Sequence, residues 1–200
     1  MPEPKSLINT SNDRTEDGYT AKMRKNILGT ERKIRQMKDE QLYAFDKDGN
    51  KVVMFQGKGA KVQIPNSELS KLKDTIMTHN HPRALRRKGI WAIGDSFSYE
   101  DIITAVKADA REIRAVTPTY TFSIKRPAGG WNATPEQIKR AYANVKRKEK
   151  LEGGVYAYGA MRHGKDAIAK ANERYSVAFY HRVTKRVSNR FGWDYTKKNR

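Results

Sequence analysis

His79-Asn80-His81-Pro82 puts two of the chain's four histidines two residues apart and fixes the backbone behind them. In an extended segment, side chains at i and i+2 point the same way, so both imidazoles can reach one metal ion. Pro82 biases His81 away from the α region and keeps the pair extended. Most H-x-H pairs are simply solvated polar residues, and this one gains interest from a second motif downstream. Ser98-Tyr99-Glu100-Asp101 opens a run in which Ile102, Ile103, Ala105, Val106 and Ala110 recur at helical spacing. Ser98 suits an N-cap, and Asp101 stands where a capping box places its acidic partner. SYED therefore has a structural explanation by itself, and it also supplies a carboxylate at a fixed helix start.

Taken together, HNHP and S-x-x-D resemble the JAMM/MPN metallopeptidase family, which includes the RadC-like proteins. That family reads His-x-His-Pro and then Ser-x-x-Asp, with a glutamate well upstream. Glu40 falls at that place, opening the stretch EQLYAFDKDGNKVVMFQGKGAKVQI. The resemblance implies His79, His81 and Asp101 as ligands of zinc (Zn2+), Glu40 as general base through the bound water, and Ser98 as stabiliser of the oxyanion. Three protein ligands leave a fourth zinc position for water, whose pKa the metal lowers towards about 7. A carboxylate within one hydrogen bond of that water can take its proton and pass it to a leaving amine. The family's gap of about ten residues from the second histidine to the aspartate is here twenty, filled by RALRRKGIWAIGDSF. Asp95 in that insertion is a rival third ligand, with Asp101 favoured for its helix start. Asp39 and Glu31 are rivals of Glu40.

The similarity covers roughly residues 40–125. A second resemblance is to metallopeptidase-like domains of bacteriophage head-morphogenesis and minor capsid proteins and of mobile-element toxins. It rests on THNHP at Thr78–Pro82, SFSYED at Ser96–Asp101, and Gly192-Trp193-Asp194-Tyr195 near the end. That GWDY segment reads equally well as an aromatic tail packing on the last helix.

To deliver these groups, the segment Asp74–Thr78 must be a short buried strand with the histidines at its end. Two runs around Asp46–Asn50 form a hairpin whose Asp-Gly step supplies a positive φ. Gly57 and Gly59 mark a second turn, Lys61–Ile64 reads as a third strand, and Asn66 or Ser67 can cap a short helix through Lys71. Glu112–Val116 and Tyr120–Lys125 are further β-type runs. The expected fold is α/β, a mixed β-sheet flanked by helices in a deaminase-like sandwich, with N- and C-terminal helical extensions.

Three regions result: a flexible arm and helix over 1–38, a metal-binding core over 39–127, and a basic helical extension over 128–200. The helix from Thr15 to Lys38 carries Met23, Ile27, Ile34 and Met37 and is interrupted at Gly29. In the extension, Thr134-Pro135-Glu136 starts a helix that Gly153 and Gly154 break. A second helix, from about Asp166 to Arg190, aligns Ile168, Ala171, Tyr175, Phe179, Val183 and Val187. His163 and His181 have no partner at ligand spacing and read as surface or packing residues.

The 200 residues can bury a sizeable core, and 37% hydrophobic with 32% charged places the chain outside the disordered class. There is no cysteine, which excludes disulfides, thiolate chemistry and every cysteine-based zinc finger. No apolar run approaches the roughly 18 residues a membrane span needs, and the first residues lack a signal-peptide core. The expected location is bacterial cytoplasm or the inside of a virion, with no secretion.

The net charge of +19 is uneven. From Glu136 to Arg200 there are 17 Lys or Arg against 6 Asp or Glu. This density predicts salt-dependent attraction to nucleic acid, DNA or RNA, through the backbone and without sequence preference. Lys139, Arg140, Lys146, Arg147, Lys148, Arg182, Lys185 and Arg186 are the candidate contacts. Arg83, Arg86, Arg87 and Lys88 in the insertion could draw a phosphate or an acidic peptide segment to the metal.

The expected function is a zinc-dependent peptidase or isopeptidase acting on a protein or peptide, phage-encoded and in contact with other virion proteins. Two alternatives remain: a basic nucleic-acid-binding or virion structural protein on a degenerate JAMM fold, and a metal-dependent nuclease. A ββα-metal nuclease wants a further His or Asn on the helix after its hairpin, and no histidine lies between His81 and His163.

Overall fold

The computed structural model describes residues 18–82, 96–167 and 178–199. Six strands form one sheet in the order β2-β1-β3-β4-β5-β6: β1 Gln41–Phe45, β2 Lys51–Gln56, β3 Ile76–Asn80, β4 Glu112–Val116, β5 Tyr120–Lys125 and β6 Asp194–Asn199. Helices α1 (Ala21–Ile34), α2 (Tyr99–Lys107), α3 (Pro135–Ala160) and α4 (Phe179–Phe191) flank it. This is the mixed α/β arrangement expected from the sequence. β3 and β4 run parallel, joined through α2, while every other pairing is antiparallel.

β3 is buried along its whole length because both of its faces are covered. Alternation sorts its side chains. Ile76 joins Tyr19, Met23, Ile27 and Phe45 under α1, and Thr78 on the same face donates to Glu31 of α1 at 3.1 Å. Met77 belongs to the larger core on the opposite face, built with Phe97, Ile102, Ala105, Ile113, Phe122, Ile138 and Val187. His79 comes two residues later and packs near the Phe97 ring, on that same face.

Several turns and caps form as their sequences predict. Asp46 accepts from the backbone N–H groups of Asp48 and Asn50, closing the β1–β2 hairpin. Gly49 there has φ of +77°, and a Cβ on it would stand 2.6 Å from the Met23 backbone, so only glycine fits. Thr134 and Gln137 form the capping box of α3, with Pro135 in its first turn.

Elsewhere the structure differs. α3 runs unbroken through Gly153 and Gly154, since each isolated glycine costs only about 1 kcal/mol in a helix held by packing at its first half. α1 likewise passes through Gly29 and starts later, where the Thr20 side chain caps Met23 N–H. Residues 61–64 form no strand, and Asn66–Leu72 is a 3-10 helix. β3 extends through His79 and Asn80, so the metal motif lies within the strand as well as after it. The GWDY tail is more than packing on the last helix: Gly192 ends α4 in the left-handed conformation and the chain becomes edge strand β6. Within 166–190, residues 166 and 167 are helical, 168–177 lie outside the described residues, and α4 covers Phe179–Phe191.

Candidate metal centre

The site is assembled from two pieces of chain. β3 carries His79, the residue after the strand is His81, and α2 presents Asp101 from its first turn. The two imidazole Nε2 atoms lie 2.9 Å apart. Asp101 places one carboxylate oxygen 3.8 Å from His79 Nε2 and the other 3.8 Å from His81 Nε2. Asp101 is held there because its Oδ2 accepts from Ser98 N–H at 2.7 Å while Ser98 Oγ accepts from Asp101 N–H at 3.2 Å. The capping box expected from SYED therefore forms, and it aims the carboxylate at the histidines.

His79 is buried, His81 and Asp101 half-buried. Burial alone would raise Asp101, but the charge of the His79 ring beside it, then His81 and the hydrogen bond from the Ser98 backbone, hold its carboxyl far below the usual carboxylate range. Burial likewise opposes the charged form of His79. Asp101, then Glu40 and the Arg114 backbone, outweigh that and lift its pKa above the ordinary imidazole value. Two nitrogens this close cannot both carry a proton on the facing side. One N–H between the rings satisfies this spacing as an ordinary hydrogen bond, and a cation shared by both rings and the carboxylate would satisfy it as well.

The three groups can hold a metal ion. In a tetrahedral site with bonds of 2.0–2.1 Å, neighbouring donor atoms stand about 3.3 Å apart. The donor separations here, 2.9 Å and twice 3.8 Å, bracket that spacing. Two imidazoles and one carboxylate are a ligand set for a borderline transition ion with a position left open.

Beside the cluster lies a cleft of about 450 Å3 whose walls include Glu40, His81, Ser96, Ser98, Asp101 and Tyr180. Glu40 precedes β1 and is fixed by backbone bonds in both directions, its N–H donating to Gly59 and its carbonyl accepting from Gly57. Its rivals are used elsewhere. Glu31 lies under the opposite face of the sheet, bound to Arg114 at 2.6 Å, and Asp39 accepts from Gly59 N–H at 2.7 Å. Asp95, Arg83, Arg86, Arg87 and Lys88 lie outside the described residues.

The proposed polyanion contacts divide into two groups. Lys139, Arg140, Arg147, Lys148 and Lys185 are exposed, and Lys146 sits over the Tyr180 ring at 5.5 Å. Arg182 and Arg186 instead clamp α4 to α3, through the fully buried Glu149 at 2.7 and 2.9 Å and, for Arg186, Glu152 at 2.8 Å. His163 is exposed. His181 is half-buried with Nδ1 2.8 Å from the Tyr195 hydroxyl.

Sequence reading missed Ser96, Tyr180 and Tyr195 as parts of this region. A signal was present for Ser96, since Ser-Phe-Ser in an extended segment puts both serines on one side. Tyr180 and Tyr195 reach the region only through the packing of α4 and β6, which no local pattern announces.

Among the described residues no helix is long and apolar enough to cross a membrane. Compared with known proteins, the chain matches no family model, no curated protein and no solved structure.

Proposed function

We propose that the chain is a zinc-dependent peptidase or isopeptidase of the JAMM/MPN type. The observation that carries this reading is the convergence of His79, His81 and Asp101 beside a cleft that Glu40 and Ser98 also line. Two imidazoles and a carboxylate with an open position favour zinc among common ions. When bound, zinc would polarise a carbonyl and make a water molecule acidic enough to attack it near neutral pH.

The protein's own groups then divide the work. His79, His81 and Asp101 hold the ion. Glu40 accepts a proton from the attacking water and returns it to the leaving nitrogen. The Ser98 hydroxyl accepts from Asp101 N–H, which leaves its own proton for the carbonyl oxygen as that oxygen becomes negative. The cleft admits a peptide segment.

Elemental analysis of the purified chain after a high-salt wash tests the reading, with His79→Ala/His81→Ala alongside. About one zinc per wild-type chain and none in the variant is expected. Cleavage of a panel of peptides and isopeptides should then fall at least about 100-fold in Glu40→Gln. No zinc uptake on reconstitution at neutral pH would remove the peptidase reading.

The exposed cations of α3 and the sequence pI of about 10.1 support a second component, non-specific binding of nucleic acid. A packaged nucleic acid would be such a partner. Metal-dependent strand cleavage abolished by His79→Ala would instead favour the nuclease alternative. Intact biological activity in Glu40→Gln and His79→Ala, with binding lost at high salt, would favour the structural one.

A further inference from the structure

Ser96, Tyr195 and His181 come from the segment entering α2, from β6 and from α4, and they meet in one line. Ser96 Oγ is 3.0 Å from the Tyr195 hydroxyl, which is 2.8 Å from His181 Nδ1. Ser96 forms part of the cleft wall while only 2% of it is exposed, so its hydroxyl is held in place. Burial pushes the Tyr195 phenol well above its ordinary value and keeps its proton on. Burial, then the charges of Lys197, Lys185 and Arg182, push His181 down to about 4, so its ring is neutral near pH 7 and carries a single N–H.

Such a line has two possible directions. Either Ser96 donates to Tyr195 and Tyr195 to His181 Nδ1, or His181 Nδ1–H donates to Tyr195, Tyr195 to Ser96, and Ser96 turns its proton to the cleft. The surroundings are unequal at the two ends. Lys197, Lys185 and Arg182 act on the His181 end, whereas the cleft that Ser96 lines carries Glu40, Glu100 and Asp101 against the single cation Lys61. Carboxylates favour a hydroxyl proton facing them, so the cleft end favours the second direction.

We infer that Ser96 donates a hydrogen bond to a carbonyl oxygen of the peptide bound in the cleft, and that Tyr195 and His181 are the positioning residues that fix the direction of its proton. This inference rests on the peptidase reading and names a contact that reading did not contain. A donor whose direction is set before the ligand arrives avoids part of the ordering cost of binding. It also gives the C-terminal strand a task at the cleft. Tyr195 stands beside Ile124 in the β5–β6 register, so pairing of the edge strand is what brings its hydroxyl to Ser96.

The first test reads the line directly. In the 15N-labelled full chain, a long-range proton–nitrogen correlation spectrum distinguishes Nδ1–H from Nε2–H imidazole, and loss of one signal set in His181→Gln assigns His181. Nδ1–H is expected in the wild type, with movement towards Nε2–H in Tyr195→Phe, which keeps the ring and removes the hydroxyl.

The second test uses the zinc-loaded chain and the cleaved peptide. Tyr195→Phe and Ser96→Ala should each raise KM about tenfold, with much the smaller part of the loss in kcat, while zinc content stays near one per chain. Peptide cleavage by a wild type whose His181 carries Nε2–H overturns the inference and leaves the peptidase reading standing. So does a KM that neither variant moves. A zinc-loaded wild type that cuts no peptide or isopeptide overturns both.

Discussion

Ser98 and Asp101 cap the start of α2 reciprocally, and the Asp101 carboxylate engaged in that cap is the one that faces both histidine nitrogens at 3.8 Å. One side chain therefore has two tasks that substitution can separate. Asp101→Asn keeps an oxygen able to accept from Ser98 N–H but loses the charge. Asp101→Ala loses both. Metal content should fall from about one ion per chain to near zero in each. Without metal, the Ala variant should be about 1 kcal/mol less stable than the Asn variant, the usual worth of a cap. An Asn variant that retains stoichiometric metal would remove Asp101 from the ligand set.

Behind the metal strand, Arg114 binds Glu31 at 2.6 Å and Glu112 at 3.0 Å, and Tyr19 donates to Glu112 at 2.6 Å. Ser123 and Thr78 complete the oxygen contacts. Both glutamates are buried, so Arg114→Leu leaves two carboxylates without their cation. A loss of about 3–5 kcal/mol in urea unfolding is expected. Adding Glu31→Gln and Glu112→Gln should recover much of it, because neutral amides no longer require the cation. A loss below about 1 kcal/mol for Arg114→Leu would show that the arginine is not what makes those carboxylates tolerable.

The His79-His81-Asp101 cluster was legible because its information is local. Two-residue periodicity put both imidazoles on one face, and capping chemistry fixed Asp101 three residues after Ser98. The pairing of β1 with β3 and of β3 with β4 was less accessible, since strand partners are chosen by burial on both faces. Glu31 and Glu40 illustrate the difference. Each is a buried carboxylate near the start of the core, and only the sheet separates them, placing one under α1 with Arg114 and the other at the cleft. Gly153 and Gly154 misled for a related reason: local propensity favoured a break, while α3 is anchored through Ile138, Ala141 and Tyr142 in the core. The role of β6 was hidden because its sequence, DYTKKN, is polar, as suits an edge strand.

The neutral ring of His181 should mark the acid side of the stability curve. Its folded value is about 4 against 6.5 for the free side chain, so the unfolded chain takes up a proton that the folded chain refuses. Stability from this source is complete above about pH 6.5 and falls as the pH drops towards 4. His181→Gln cannot take up that proton in either state. Its unfolding free energy should therefore decline less than that of the wild type between pH 7 and 4.5, whatever its value at pH 7. Lys197, Lys185 and Arg182 cause part of the depression, so Lys197→Gln should reduce the acid sensitivity in the same direction. Parallel curves for wild type and His181→Gln would contradict the assignment.

The basic C-terminal residues should separate by what they touch. Lys139 and Arg140 stand exposed on α3, whereas Arg182 holds the buried Glu149 at 2.7 Å. If phosphates are bound through the exposed face, Lys139→Gln/Arg140→Gln should weaken binding to a random-sequence duplex equally for all sequences. It should also reduce the slope of log K against log salt by about 1.8, roughly 0.9 for each phosphate that is no longer neutralised. Arg182→Gln should behave in the opposite way. It removes a cation beside a buried carboxylate, so unfolding should become easier by about 1–3 kcal/mol, while the salt slope changes by less than about one. Fluorescence anisotropy between 50 and 200 mM salt and urea unfolding on the same preparations provide both readings. A slope change in Arg182→Gln as large as in the double variant would place the nucleic acid across α4 and demand that the ion pair open on binding.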